Sequence, residues 1–155
     1  MKSLIVYFSQ FGNTRQIAEM IAETLRSAGP VRVISTDELA VSELTDVDLV
    51  VMGTPTHRMN LPEAVRVVFE TLPRRILGGT PVATFDTSYQ MSRWLAAFTA
   101  ARKLAHRLRR LGGKSVVPPE TFHVVEREGP LYEGEIERAR TWAALILERV
   151  EERTH

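Results

Sequence analysis

The segment KSLIVYFSQFGNTRQIAEMIAETLRSAG, Lys2 to Gly29, decides the architecture. Its opening run, Leu4-Ile5-Val6-Tyr7-Phe8, is apolar on both faces, as a strand buried inside a parallel sheet must be, and predicts a first strand over Lys2–Phe8. From Thr14 to Ala28 the period changes. Ile17, Ile21, Ala22 and Leu25 recur at three- and four-residue steps among polar Arg15, Glu19, Glu23 and Arg26, and Gly29-Pro30 stops the helix.

The same alternation continues outward from this unit. Val31–Ser35, Asp48–Gly53 and Pro81–Asp86 read as strands, and Ser115–Val125 as a fifth that Pro118-Pro119 should bend. A helix opens at Leu61-Pro62, with Ala64, Val65, Val68, Phe69 and Leu72 as its apolar positions. Another runs from Ser92 to Leu111, where Gly112-Gly113 ends it, and a last one from Glu133 to Glu151. The connection Thr36–Val47 has room for one more short helix. Strands alternating with helices imply an α/β fold, a three-layer sandwich around a parallel sheet with right-handed crossovers. No repeat or linker interrupts the chain, so one domain over residues 1–155 is expected.

Composition narrows the function classes. The 155 residues are 44% hydrophobic and 25% charged, enough apolar material for one core. With 20 Lys and Arg against 19 Asp and Glu, the formal net charge is +1, which argues against a nucleic-acid binder driven by a one-sign field. There is no cysteine, so disulfides, thiolate metal sites and iron–sulfur clusters are excluded, and redox chemistry must come from a cofactor. The apolar run at the amino terminus is short for a signal peptide, and no stretch approaches membrane-spanning length; a cytoplasmic protein is expected.

In an open α/β sheet, ligands bind beyond the carboxyl ends of the strands, near the point where strand order reverses. The loop after strand 1, Ser9-Gln10-Phe11-Gly12-Asn13-Thr14, has hydroxyls at both ends and a glycine for a tight turn. Those hydroxyls and the amides at the helix start make a nest for a phosphate, while Ser, Asn and Thr equally suit a helix cap. Without Gly-Lys-Ser/Thr or G-x-G-x-x-G, neither a nucleoside triphosphate nor a dinucleotide is indicated, and a neutral nest suits one terminal phosphate monoester. A phosphoacceptor receiver domain needs acidic residues where Phe8-Ser9 and Met52-Gly53 stand. No Ser/His/Asp arrangement or two-histidine metal motif is present.

The Ser9–Thr14 loop, the strand 3 sequence Asp-Leu-Val-Val-Met-Gly-Thr-Pro-Thr and the segment Gly129–Ile146 resemble the flavodoxin family, of the short-chain type, over essentially the whole chain. The resemblance implies a five-stranded sheet of order 2-1-3-4-5 and a cofactor, FMN. The first loop would take the FMN phosphate. The loops after strands 3 and 4, Thr54-Pro55-Thr56-His57-Arg58-Met59-Asn60 and Asp86-Thr87-Ser88-Tyr89 with Gln90 and Met91, would enclose its ring. Met59 or His57 is expected on the inner face of the ring and Tyr89 on the outer. Arg58 would favour an anionic reduced flavin by Coulomb attraction, and Asn60 stands in for the family's flipping glycine. Asp86 ends strand 4 at this edge and equally suits a cap for the loop after it. Trp94 reads as core.

An FMN-binding electron-transfer protein is the function this resemblance implies. The alternatives are an FMN-dependent oxidoreductase acting on a quinone or porphyrin-type substrate, and a binding module that keeps the fold without FMN. The helix read over Ser92–Leu111 carries Arg102, Lys103, His106, Arg107, Arg109 and Arg110, read either as a solvated face that complements the helix dipole or as a docking patch for an acidic redox partner protein. Flavodoxins are usually acidic and meet basic partners, whereas this sequence has a pI near 8.2. A monomer or weak dimer is expected. Glu133, Glu135 and Glu137 read as negative charge at the start of the last helix.

Overall fold

The computed structural model describes residues 1–56, 60–89 and 99–154. The strands are β1 (Ser3–Tyr7), β2 (Val31–Ser35), β3 (Leu49–Pro55), β4 (Pro81–Tyr89), β5 (Lys114–Ser115) and β6 (Glu120–Val124), and the helices α1 (Asn13–Leu25), α2 (Glu63–Thr71), α3 (Ala100–Arg110) and α4 (Glu135–Thr154). The sheet is parallel in the order β2-β1-β3-β4, with β5 and β6 both paired to β4. The fifth position is thus shared by two short strands. Lys114-Ser115 pair with Pro81-Val82, Pro118-Pro119 interrupt the ladder because they bring no N–H to it, and Glu120–Val124 resume beside Phe85–Tyr89.

Alternate residues of each strand enter two separate cores, which makes the three layers. On one face Ile5, Val51, Ala83 and Phe85 pack with Ile17 and Ile21 of α1 and Ala143 and Ile146 of α4. On the other, Leu4, Val6, Val50, Met52 and Val82 meet Val65 and Phe69 of α2 and Leu104 and Leu108 of α3. Phe85, Phe122 and Trp142 stand edge to face with centroids 5.9 to 6.0 Å apart, an arrangement favoured by the ring quadrupoles. Gly53 lies against this triad: a Cβ there would come within 2.0 Å of Phe85 Cζ, so the strand residue opposite Phe85 must be glycine.

Several boundaries move. β4 runs three residues past Asp86, because Phe85–Tyr89 have a hydrogen-bonding partner strand in β6. Thr99 has extended backbone (φ −67°, ψ 158°), so α3 starts at Ala100 rather than as one helix from Ser92. α2 begins just after Pro62 and buries Val65 and Phe69, while Ala64 is exposed. Thr36–Val47 holds two 3-10 turns, Thr36–Glu38 and Val41–Leu44. α4 starts at Glu135, leaving Glu133 exposed before it. No helix among the described residues is long and apolar enough to cross a membrane.

Candidate functional site

Strand register alone brings the first, third and fourth segments to one edge of the sheet. Tyr7 stands opposite Gly53, Gly53 opposite Phe85, and Thr54, Asp86 and Thr121 form one row across β3, β4 and β6. The Phe8 N–H donates to the Gly53 carbonyl and the Thr56 N–H to the Thr87 carbonyl, both at 3.0 Å, so the chain is held to the sheet up to the point where each loop departs.

The first loop turns at Gly12, whose φ of 93° lies in the left-handed region; no atom stands within 4 Å of where a Cβ would be. Ser9 Oγ accepts the Gly12 N–H at 3.0 Å and the Arg15 N–H at 3.4 Å, so the hydroxyl acts as a cap. The intrahelical series begins with the Gln16 N–H on the Gly12 carbonyl. The amides of Asn13 and Thr14, ahead of it, have no hydrogen-bond acceptor among the described residues and form the positive end of a 13-residue helix. An open glycine cradle beside two uncommitted amides fits an anion such as a terminal phosphate.

Other residues of this loop are committed differently. Gln10 and Phe11 are exposed, Phe11 at 42%, and the Arg127 guanidinium lies 6.0 Å from the Phe11 ring centroid. Thr14 is turned inward, its hydroxyl 2.8 Å from that of Thr87 in a buried contact. Asn13 is buried too, and its side-chain amide donates to the Glu128 carbonyl at 3.1 Å. The turn after β6 is thereby tied to the first loop, a neighbour 115 positions away along the chain that no local pattern announces. Its one local signal is Gly129, where a Cβ would meet Asn13 Oδ1 at 2.6 Å.

At the fourth strand, Thr87 and Ser88 are buried members of β4 rather than of a loop, and Tyr89 ends it 44% exposed. Thr54 is buried in β3 with Pro55 following it. Asp86 is fully buried. One carboxylate oxygen, Oδ2, accepts the Thr56 hydroxyl at 2.7 Å and the Ala101 N–H at 3.0 Å, and Thr56 Oγ1 in turn accepts the Ala100 N–H at 3.2 Å. Asp86 therefore caps α3 and pins the start of the loop after β3 to that cap. Burial pushes its carboxyl up from the usual range, against the opposing pull of Thr121, Thr56, the Ala101 amide and Thr99. Asn60 Oδ1 accepts from Lys103 Nζ at 3.2 Å, a second tie between this loop and α3. His57, Arg58, Met59, Gln90, Met91 and Trp94 lie outside the described residues.

Glu135 differs from its two acidic neighbours in sequence: of the three carboxylates at the start of the last helix, it alone is buried. Its role is a specific pairing rather than general complementation of the dipole. It accepts the His123 N–H at 2.6 Å and the Arg138 guanidinium at 2.8 and 2.9 Å, fastening α4 to β6. Among the described residues no group of three or more His, Asp or Glu is placed to hold a metal.

Comparison with known proteins agrees with this fold. The family described as Flavodoxin domain matches residues 4–123. Among solved structures, a flavodoxin from the domain Archaea superposes with a TM-score of 0.75 at 20% identity, covering 97% of this chain and 99% of its own. Oxidised Flavodoxin 2 from Bacillus cereus gives 0.78 at 21%, covering 96% and 99%. Rubredoxin oxygen:oxidoreductase from Desulfovibrio gigas gives 0.73 at 19%, with 97% of this chain on 36% of that one. No curated protein matches the sequence.

Proposed function

Since the chain belongs to the flavodoxin family, we propose that it binds FMN at this sheet edge and serves as an electron-transfer protein. The observation that carries this reading is the first loop: Gly12 in the left-handed conformation with open space above it, next to the uncommitted amides that begin α1. The segment Ser9–Thr14 would hold the phosphate. Thr54–Asn60 and Asp86–Tyr89 would border the ring, with the exposed Tyr89 as its aromatic neighbour. When bound, the flavin supplies reversible acceptance of electrons, chemistry that a chain without cysteine cannot supply from its own side chains.

The protein's share is positional. Asp86 and Thr56 fix where two of the three loops leave the sheet, and the amides of α1 supply positive potential for an anion. Purification without a denaturing step tests the reading: a yellow protein releasing one FMN per chain on acid treatment, and passing electrons from dithionite to ferric cytochrome c, is expected. A colourless protein that ignores FMN at tens of micromolar overturns it.

A further inference from the structure

The chain's near-neutral total conceals a sharp division of charge. From Thr87 to Pro119 there is no Asp or Glu, while seven Lys and Arg fall in that stretch, leaving thirteen of the twenty cations and all nineteen carboxylates to the rest. Most of these seven lie on α3. Arg102, Arg109 and Arg110 are exposed with His106, and Lys103 and Arg107 are half-buried, opposite the core-facing Leu104 and Leu108. Among the described residues the ion pairs of Lys2, Arg15, Arg32, Arg138, Arg140 and Arg149 lie elsewhere, and Arg102, Arg107, Arg109 and Arg110 take part in none.

Local helix energetics accounts for only part of this. Arg107, Arg109 and Arg110 sit in the last turn, where the dipole favours cations, but Arg102 and Lys103 sit in the first turn, where it opposes them; the helix has no acidic residue of its own there, and its one carboxylate cap, Asp86, is buried in β4. That end of α3 is the one bonded to Thr56, Asp86 and Asn60. A cavity of about 350 Å³ opens there, lined by Asn60, Leu61, Arg102, Lys103, His106 and Arg107, and another of about 410 Å³ lies on the far side of Arg102 and Arg109.

We propose that the exposed face of α3 is the docking surface for an acidic protein partner, which it brings to the edge where the flavin is placed. The inference rests on the FMN reading for its redox purpose, though not for the binding itself. Charge complementarity selects the occupant: a positive strip about 16 Å long matches a compact carboxylate patch. A long polyanion would also meet the excess of carboxylates on the rest of the molecule.

The test uses FMN-loaded full-length protein reduced with dithionite, mixed in stopped flow with ferric cytochrome b5, an acidic haem protein, or with ferric cytochrome c, a basic one. Each productive encounter moves one electron from the flavin to a ferric haem, giving ferrous haem, and two haems take up what a fully reduced flavin gives. The rate with cytochrome b5 is expected to fall about tenfold or more as ionic strength rises from about 20 to 500 mM. Arg102→Glu with Arg109→Glu should cut the low-salt rate at least about tenfold, leaving cytochrome c as fast or faster. The same reversal at Arg26, exposed in the 3-10 turn after α1, and at Arg153, exposed on α4, should have much less effect.

Rates with cytochrome b5 that ignore both salt and the α3 reversal overturn the proposal, as does an equal loss from the Arg26 and Arg153 reversal. If the protein takes no FMN, the functional reading fails separately, and calorimetric binding of cytochrome b5 at low salt, abolished by the α3 reversal, still decides the docking surface. Binding of a 12-nucleotide DNA strand through Arg102 and Arg109, with none of cytochrome b5, would assign the face to nucleic acid instead and overturn the acidic-protein proposal.

Discussion

Asp86 makes the sharpest test of how this edge is built. Replacement by alanine removes the acceptor for the Thr56 hydroxyl at 2.7 Å and for the Ala101 N–H at 3.0 Å, in a site closed to water. A buried donor left without a partner costs about 1–3 kcal/mol; Ala101 bears this in full, whereas half-buried Thr56 recovers part of it from solvent, and loss of the buried charge offsets some of the rest. A net loss of about 2–3 kcal/mol at neutral pH is expected. With a urea slope of about 2 kcal/mol/M for a domain of this size, the midpoint should fall by about 1–1.5 M.

Asp86→Asn keeps an acceptor oxygen and should cost under about 1 kcal/mol. The pH dependence has a definite sign. Because burial raises the folded-state pKa, the folded protein holds the proton more tightly than the unfolded chain. Its contribution is therefore fully present below the unfolded value, about 3.9, and is lost as pH rises through the folded one. The wild-type advantage over Asp86→Asn should shrink or reverse across that window. An Asp86→Ala midpoint within about 0.2 M of wild type, or a wild-type-minus-Asn difference that is flat from pH 4 to 8, would rule out this role for the carboxylate.

Glu135→Gln should destabilise by about 1–3 kcal/mol at pH 7 through the contacts to His123 and Arg138. Burial raises this carboxyl, but the Arg138 and His123 hydrogen bonds and the Arg138 charge outweigh it and hold it below the usual range. Its contribution is thus present above the unfolded pKa and lost as pH falls through the folded one, opposite in sign to Asp86, which urea midpoints from pH 7 down to 3 would show. Gly53→Ala places a methyl 2.0 Å from Phe85 Cζ and should cost about 2–3 kcal/mol in thermal or urea unfolding. Phe85→Leu in the same chain should recover part of that loss, since the two changes share one space; strict additivity would count against the contact.

Elements set by local period alone are legible before folding. Val31–Ser35 falls on β2 as written and Lys2–Phe8 overshoots β1 by one residue at each end because the apolar spacing is unbroken there, while Thr14–Ala28 starts one residue late and runs three past Leu25, where Arg26–Ala28 tighten into a 3-10 turn. Pro118-Pro119 marks the break between β5 and β6 for a similar reason, as a missing N–H is a property of the residue itself. The hidden features depend on distant neighbours. Thr87-Ser88-Tyr89 look like loop residues until β6 offers them a ladder. Asp86 reads as either a cap or a ligand contact until Thr56, thirty positions back, and Ala101, fifteen ahead, arrive as its donors. Glu135 blends with Glu133 and Glu137, although Arg138 three residues on is a local sign of its pairing.

The FMN proposal turns on the Ser9–Thr14 loop taking a phosphate, and comparing FMN with riboflavin on the same apoprotein isolates that contact. The two ligands share the ring and differ by the phosphate, so fluorescence titrations should show FMN binding at least about a hundredfold more tightly, the strength of one to two charge-assisted hydrogen bonds. Ser9→Ala should weaken FMN and leave riboflavin unchanged. Equal affinities for the two ligands, or equal losses on Ser9→Ala, would contradict the assignment.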